Sequence, residues 1–196
     1  MKRNLIVRFV LATLVAVGMT RHISAEPTIV PYSLSREYHL RLFNIHTGMH
    51  LDVVYRRGDS YIPDALTGLD NYLKDRRTGD VHHYDPRVFD LLHDLESKLG
   101  RPDSEIDVLC GYRSPRTNAI LRAHRPGVAL HSLHMLAMAI DIRIPGVKTS
   151  EFQHAAWSLH RGGVGYYAKS GFVHVDVGRV RRWQETSLTW DKDTRG

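Results

Sequence analysis

HSLHMLAMAID, residues 131–141, places two histidines and one aspartate in a stretch that is otherwise mostly apolar. We interpret it as a loop that enters a strand, in which alternate side chains share one face. Ile140 and Ile142 then face the core, whereas Asp141 points to the opposite face. His134 lies in the loop before the strand. The stretch therefore predicts a sheet that packs one face on the core and carries polar side chains on the other.

The stretch FVHVDVG, residues 172–178, has the same alternation. His174 and Asp176 share one face of this second predicted strand, and the valines share the other. If the two strands are neighbours, both residues lie on one surface with Asp141. His134 is then close enough to reach the same point from its loop.

These residue types suit a metal site. Two imidazoles and one carboxylate are a common catalytic zinc set, and the open fourth position holds a water whose pKa zinc lowers towards 7. The alternative is that each polar residue is satisfied by local hydrogen bonds. The set also fits non-haem iron, and His174-Val175-Asp176 has the His-x-Asp form of such oxygenases. Those enzymes need a further histidine downstream, and none follows Asp176, so zinc is favoured.

The remaining patterns predict a single α+β domain with an antiparallel sheet flanked by helices. A turn at Thr47-Gly48 joins two alternating stretches, which is typical of a β-hairpin. Apolar residues at helical spacing, strand-like runs and turn residues define the other elements. These are helices within residues 64–80, 86–100, 114–125 and 149–162, a strand from residue 105, and a hairpin over residues 162–178. The tail from Arg179 has no clear pattern.

Composition argues against a nucleic-acid partner. The 196 residues have a formal charge of +6, but residues 1–25 contain four basic and no acidic side chains. The rest of the chain then has 23 basic and 21 acidic residues, counted from the same sequence, which is too balanced to favour nucleic acid. Cys110 is the only cysteine, so no intramolecular disulfide forms. We expect a buried small residue at a strand end, with a catalytic thiol as the alternative.

Residues 1–25 resemble a secretory signal peptide. A basic start precedes an apolar run from Phe9 to Met19, and Ile23-Ser24-Ala25 is an acceptable cleavage site. The apolar run is short for a membrane span, although an uncleaved anchor is the alternative. We expect residues 26–196 to act outside the cytoplasm, with no other segment that crosses a bilayer.

Several motifs together carry a family resemblance. Ser132-Leu133-His134, Ala139 and Asp141 resemble the Ser-x-His-x-x-Gly-x-Ala-x-Asp motif of the zinc D-Ala-D-Ala peptidase and hedgehog-type superfamily. Further blocks match the murein endopeptidase K (YcbK-like) family in that family's order. They are NIHTG, LDNYLKDRRTGDVHHYDPRVFDLLHDL, GYRSPRTNAILR, HSLHMLAMAIDIRIPGV, GGVGYY and FVHVDVGRVRRW. The chain is identified as a member of this family, and the resemblance covers roughly residues 34–183.

The resemblance implies an exported, periplasmic zinc enzyme that hydrolyses peptide cross-links of peptidoglycan and binds its stem peptides. It implies one Zn²⁺ per chain, held by His134, Asp141 and His174. Two alternatives remain: a non-catalytic peptidoglycan-binding module, and a D-Ala-D-Ala-type carboxypeptidase or dipeptidase. Oligomeric state is not predicted.

The resemblance also assigns residues around the ligands. Arg113 in GYRS matches the superfamily arginine that faces the substrate carbonyl or a carboxylate. Its fixed charge would stabilise the oxyanion beside zinc, with a strand-end salt bridge as the alternative. Ser132 either binds the peptide or caps a turn, and His131 either lines the cleft or lies on the surface. Tyr166 and Tyr167 either wall the cleft or pack on the sheet.

The chain departs from the superfamily pattern at two positions. The motif's glycine is Ala137, which raises a question of local backbone geometry. The superfamily's catalytic glutamate, three residues before the last histidine ligand, is replaced by Gly171. Asp176 is therefore the candidate general base, and its alternative role is to orient His174 by hydrogen bonding.

Overall fold

The structure, a computed structural model, describes residues 36–125 and 127–185. The predicted signal peptide and the end of the tail lie outside the described residues. The strands are β1 Glu37–Asn44, β2 His50–Arg57, β3 Ser60–Tyr61, β4 Glu105–Cys110, β5 Ala139–Arg143, β6 Gly163–Tyr167, β7 Phe172–Asp176 and β8 Arg181–Gln184. The helices are α1 Pro63–Tyr72, α2 Arg87–Lys98, α3 Pro115–His124 and α4 Thr149–Ser158, and a 3₁₀ turn covers Leu133–Leu136.

The eight strands form one sheet in the order β3-β2-β1-β4-β5-β7-β6-β8. Five of the seven pairings are antiparallel, whereas β1–β4 and β6–β8 are parallel. The α+β prediction is confirmed, with a sheet that is mostly rather than wholly antiparallel. β8 comes from the tail to which the sequence assigned no element.

The core lies on the face of the sheet that the alternation predicted. Ile140 and Ile142 of β5 and Val173 of β7 are fully buried there. α2 packs against β1, and α4 packs against β6 and β7. The opposite face of the central strands is therefore left for the polar side chains. Within the described residues, no helix has the length and apolar composition needed to span a membrane.

Ala137, at the end of the 3₁₀ turn, has a backbone conformation that suits glycine. Its backbone is left-handed, with φ 49° and ψ 40°, a region that glycine adopts at lower cost than alanine. The N–H groups of Ala137 and Met138 close the turn on the carbonyls of His134 and Leu133. Ala137 is also fully buried, so its methyl group gains packing that offsets part of the backbone cost.

Glu96 on α2 gives the fold a pH dependence. It is 1% exposed, and neither carboxyl oxygen has a hydrogen-bond partner within the described residues. Burial, followed by the nearby charge of Asp103, raises the pKa of Glu96 to about 8, although the backbone of Ser104 opposes the shift. Because the unfolded chain has the ordinary pKa, the stability due to protonated Glu96 is complete below about pH 4.5 and is lost as the pH rises through 8.

Glu96→Gln is therefore expected to make stability less dependent on pH. Between pH 5 and pH 8.5 the free energy of unfolding of the wild type should fall by about 1–3 kcal/mol more than that of the variant. Urea denaturation at the two pH values measures the difference. Glu151→Gln, at an exposed position on α4, is the matched control. Parallel losses in wild type and Glu96→Gln would contradict the prediction.

Candidate metal centre

Three side chains meet on the polar face of the sheet, as the sequence predicted. β5 and β7 pair so that Asp141 lies directly opposite His174, and the 3₁₀ turn brings His134 over them. His134 Nε2 lies 3.1 Å from His174 Nδ1 and 3.2 Å from Asp141 Oδ1. His174 Nδ1 lies 2.9 Å from the same carboxylate oxygen. We call these three residues the trio.

The outer ring nitrogens of both histidines have their own partners. His134 Nδ1 lies 2.8 Å from the carbonyl oxygen of Gly111, to which it donates. His174 Nε2 lies 3.2 Å from Asp176 Oδ2. With protons on these outer nitrogens, the inner nitrogens direct lone pairs at one point beside Asp141. Two imidazole nitrogens and one carboxylate oxygen in this arrangement fit a divalent cation such as zinc.

The electrostatics of the trio favour a positive charge at that point. Burial alone lowers the pKa of His134, but the negative charges of Asp141 and Cys110 outweigh burial and raise it. Burial alone raises the pKa of Asp141, but the two histidines outweigh burial and lower it. The carboxylate is thus held ionised in a buried site, where it attracts a cation.

Cys110 adds a fourth donor near the trio. Its sulfur, with the ligand atoms of His134 and Asp141, forms a group whose members all lie within 4.8 Å of one another. Cys110 is partly exposed rather than buried, which corrects the expectation from the sequence. Its sulfur also accepts a hydrogen bond from Arg113 at 3.4 Å. Two overlapping ligand sets are therefore present, one completed by His174 and one by Cys110.

Asp176 is fully buried and lies on the far side of His174 from Asp141. Its Oδ1 accepts hydrogen bonds from the N–H groups of Gly163 at 2.8 Å and Gly178 at 2.9 Å. Its Oδ2 accepts one from Arg181 at 2.8 Å and faces His174 Nε2. Both oxygens are thus surrounded by donors of the protein, and neither lines the cleft described below.

Arg113 extends from the residues after β4 towards the trio. Its guanidinium lies 3.8 Å from Asp141 Oδ2 and 3.4 Å from Asn118 Oδ1. Its Nε has no partner within the described residues. Its backbone N–H donates to the carbonyl of His134 at 3.2 Å. The side chain therefore has a defined position, and its Nε is enclosed by the protein.

A cleft of about 850 Å³ leads to the trio. Among the residues chosen from the sequence, Arg113, His131, Ser132 and Tyr167 line it. Tyr166 does not line it, because Gly165 pairs with His174 and side chains alternate along β6. His131 is exposed at the cleft surface and Ser132 is half-buried.

Trp183 is a residue of the site that sequence reasoning missed. It lies on β8, its ring centroid is 5.1 Å from that of His174, and its Nε1 donates to the Tyr167 hydroxyl at 3.1 Å. The polar composition of the tail hid this strand. The glycines of GGVGYY were the available signal, because a Cβ on Gly165 would approach Trp183 to 2.6 Å.

Gly165→Ala is therefore expected to displace Trp183 and to lower the free energy of unfolding by about 1–3 kcal/mol. Thermal melting and tryptophan emission measure the two effects. Gly68→Ala is the matched control, since a Cβ there meets nothing within 4 Å and alanine favours a helix. Unchanged emission and melting in Gly165→Ala would show that Trp183 does not occupy this position.

Known proteins resemble this chain over most of its length. The sequence model of the family described as peptidoglycan L,D-endopeptidase MepK matches residues 33–183. The probable peptidoglycan L,D-endopeptidase MepK of Haemophilus influenzae is 43% identical over 141 residues, covering 72% of this chain and 76% of that protein. The peptidoglycan L,D-endopeptidase MepK of Escherichia coli K12 is 37% identical over 173 residues, covering 88% of this chain and 94% of that protein. No solved structure matches the chain.

The family match spans the sheet, the trio and the cleft, and both relatives are covered over most of their length. The family resemblance seen in the sequence is confirmed. The chain belongs to the family of peptidoglycan L,D-endopeptidase MepK.

Proposed function

We propose that the chain is an exported zinc metallopeptidase that hydrolyses peptide cross-links of peptidoglycan, with the L,D type of bond named for its relatives as the preferred target. One observation carries the proposal: three buried donor atoms of His134, Asp141 and His174 lie within 3.2 Å of one another. They lie beside a cleft large enough for a peptide.

His134, Asp141 and His174 would hold the zinc ion. A bound zinc ion with three protein ligands activates a water molecule and polarises a carbonyl group. We prefer His174 to Cys110 as the third ligand because His174 Nδ1 lies within 3.1 Å of both other donors. The sulfur of Cys110 is instead engaged by Arg113.

Arg113 would bind the carbonyl oxygen of the scissile amide. The permanent charge of its guanidinium would stabilise the negative charge that develops on that oxygen during attack. The contact to Asn118 and the backbone bond to the carbonyl of His134 fix its orientation in advance. Preorganisation of this kind costs no rearrangement in the transition state.

Asp176 would orient His174 rather than act as the general base. A base needs an oxygen within hydrogen-bond reach of the attacking water, and both oxygens of Asp176 are buried among protein donors. Its contact at Nε2 instead keeps the proton on that nitrogen and leaves Nδ1 free to bind metal.

The substrate would be the stem peptides of peptidoglycan. A signal peptide over residues 1–25 would deliver the enzyme to the periplasm, where this polymer is accessible. The experiment is digestion of purified muropeptide dimers, carrying either 3–3 or 4–3 cross-links, by residues 26–196 with zinc or with a chelator. We expect chelator-sensitive conversion of dimers to monomers with intact stems, and faster conversion of the L,D (3–3) dimers. Release of terminal D-alanine alone would favour a carboxypeptidase, and binding without products would favour a non-catalytic module.

Arg113→Ala is expected to lower kcat by about 10²–10³ while changing KM little, because its bond to the oxyanion strengthens only in the transition state. Steady-state kinetics on the preferred dimer measure both constants, with metal content determined in parallel. Arg116→Ala, an exposed arginine on α3, is the control. Full activity in metal-loaded Arg113→Ala would contradict the proposed role of Arg113 in binding the carbonyl oxygen.

A further inference from the structure

Four cations line the cleft without an ion pair among the described residues. They share an exposed position on two adjoining segments, the loop after α1 and the end of α3, and we call them the basic rim. The basic rim consists of Lys74, Arg76, Arg77 and Arg125. The other two arginines of the cleft are already engaged, Arg113 near Asp141 and Arg181 with Asp176.

The negative charges of the cleft do not balance the basic rim. Asp75, Asp141 and Glu185 are the carboxylates among the described lining residues. Asp141 belongs to the trio. Asp75 is 2% exposed and bonds to backbone N–H groups, so it does not reach the cations. Even with Asp75 and Glu185 counted, the four cations of the rim exceed the two carboxylates outside the trio, so the rim presents a positive field to any peptide in the cleft.

The loop after α1, which carries three of the four rim residues, is held in place beside Arg113. Tyr112 N–H donates to the carbonyl of Leu73 at 2.8 Å, and Ser114 N–H donates to Asp75 Oδ2 at 2.7 Å. The two donors are the residues immediately before and after Arg113 in the chain. Although burial alone raises the pKa of Asp75, the nearby hydroxyl groups of Thr117 and Ser114 and the backbone N–H groups of Ser114 and Arg77 lower it to about 2. The carboxylate that anchors the loop thus stays ionised at neutral pH.

Gly111 shows how closely the two segments pack. A Cβ at this position would lie 2.6 Å from the carbonyl oxygen of Leu73. The basic rim is therefore built onto the segment that holds Arg113 rather than placed on an independent surface loop.

We propose that the basic rim is a subsite for the free carboxylates of a peptide substrate, and that it positions the peptide with its scissile amide at the trio. The inference rests on the proposed function for its substrate, since stem peptides carry several carboxylates. The carboxylates bound at the rim lie away from the reacting bond. The contact therefore stabilises the bound substrate and the transition state equally. Such uniform binding lowers KM and leaves kcat unchanged.

The test changes the protein and the substrate, each alone and both together, and compares the effects on KM. The protein change is Arg76→Gln with Arg77→Gln, and the substrate change is amidation of the free carboxylates of the cross-linked dimer. For wild type, amidation should raise KM about 10-fold. For the double variant, KM should already be about 10-fold higher on the carboxylate form, and amidation should add less than 2-fold. Arg116→Gln with Arg122→Gln removes the same charge from exposed positions on α3 outside the cleft, and should behave as wild type.

A second readout does not require cleavage. Fluorescence anisotropy with a labelled stem tripeptide should give about 10-fold weaker binding by the rim variant than by the α3 variant, and wild-type binding should weaken with added salt. Equal affinities of the two variants, or equal amidation effects on KM in the rim variant and wild type, would overturn the subsite. If no protein cleaves the dimers but the rim variant still binds weakly, the proposed function fails while the subsite stands.

Discussion

His134→Ala is expected to lose the bound metal and the cleavage of cross-links together. The substitution removes one of the three proposed ligand atoms and leaves the buried Asp141 with a weaker set of partners. Metal content should fall from about one ion per chain to below 0.1, since three protein ligands are needed to hold a catalytic zinc. Cleavage of dimers should fall by at least about 10³-fold, because metal activation of water supplies most of the rate.

Two measurements check this result, and a control separates the site from the fold. Elemental analysis gives metal per chain after gel filtration, and chromatography of muropeptides gives the rate. His154→Ala, an exposed histidine on α4, should keep full metal content and activity. A folded His134→Ala protein, shown by circular dichroism, that still cleaves at the wild-type rate would refute the ligand assignment.

Asp176→Ala is expected to destabilise the protein by about 3–5 kcal/mol. The change leaves Arg181 and the N–H groups of Gly163 and Gly178 without their buried acceptor, and breaking one side of a buried charged network costs this much. Thermal and urea unfolding measure the loss. A destabilisation below 1 kcal/mol would contradict the buried network.

Asp176→Asn keeps the shape and separates the two roles considered for this residue. If Asp176 orients His174, the variant should bind zinc about 10–100-fold more weakly, while kcat at saturating zinc stays within about 10-fold of wild type. If Asp176 were the general base, kcat would fall by about 10²–10⁴ at full metal occupancy. Zinc titration with a competing chelator, followed by kinetics at saturating zinc, distinguishes the two results.

Alternation in the sequence was sufficient to predict the strands and faces that form the centre of the sheet. Apolar and polar residues alternate in IDIRI, residues 140–144, and in VHVDV, residues 173–177, because the apolar face of β5 and β7 packs on the core. β8 was missed because only Trp183 among its four residues is apolar. The parallel pairing β6–β8 was missed together with β8 itself, and the parallel pairing β1–β4 was missed because it joins segments far apart in the chain and leaves no local pattern.

The trio was predictable because the two strands and the motif around His134 carry their own signals. The enclosure of Asp176 was not, because it depends on hydrogen bonds from Gly163 on β6 and from Gly178 and Arg181 a few residues further along the chain. The basic rim was hidden for a similar reason. Its members look like ordinary surface charges until the bond from Ser114 to Asp75 places them beside Arg113.

The most direct test of the metal centre is the zinc X-ray absorption spectrum of the metal-loaded protein. The account predicts only nitrogen and oxygen neighbours at about 2.0–2.2 Å, with the multiple scattering of two imidazole rings, because His134, His174 and Asp141 supply the protein ligands. Cys110→Ser should then leave the spectrum unchanged. A sulfur neighbour at about 2.3 Å would show that Cys110 binds the metal and would contradict the ligand set proposed for this protein.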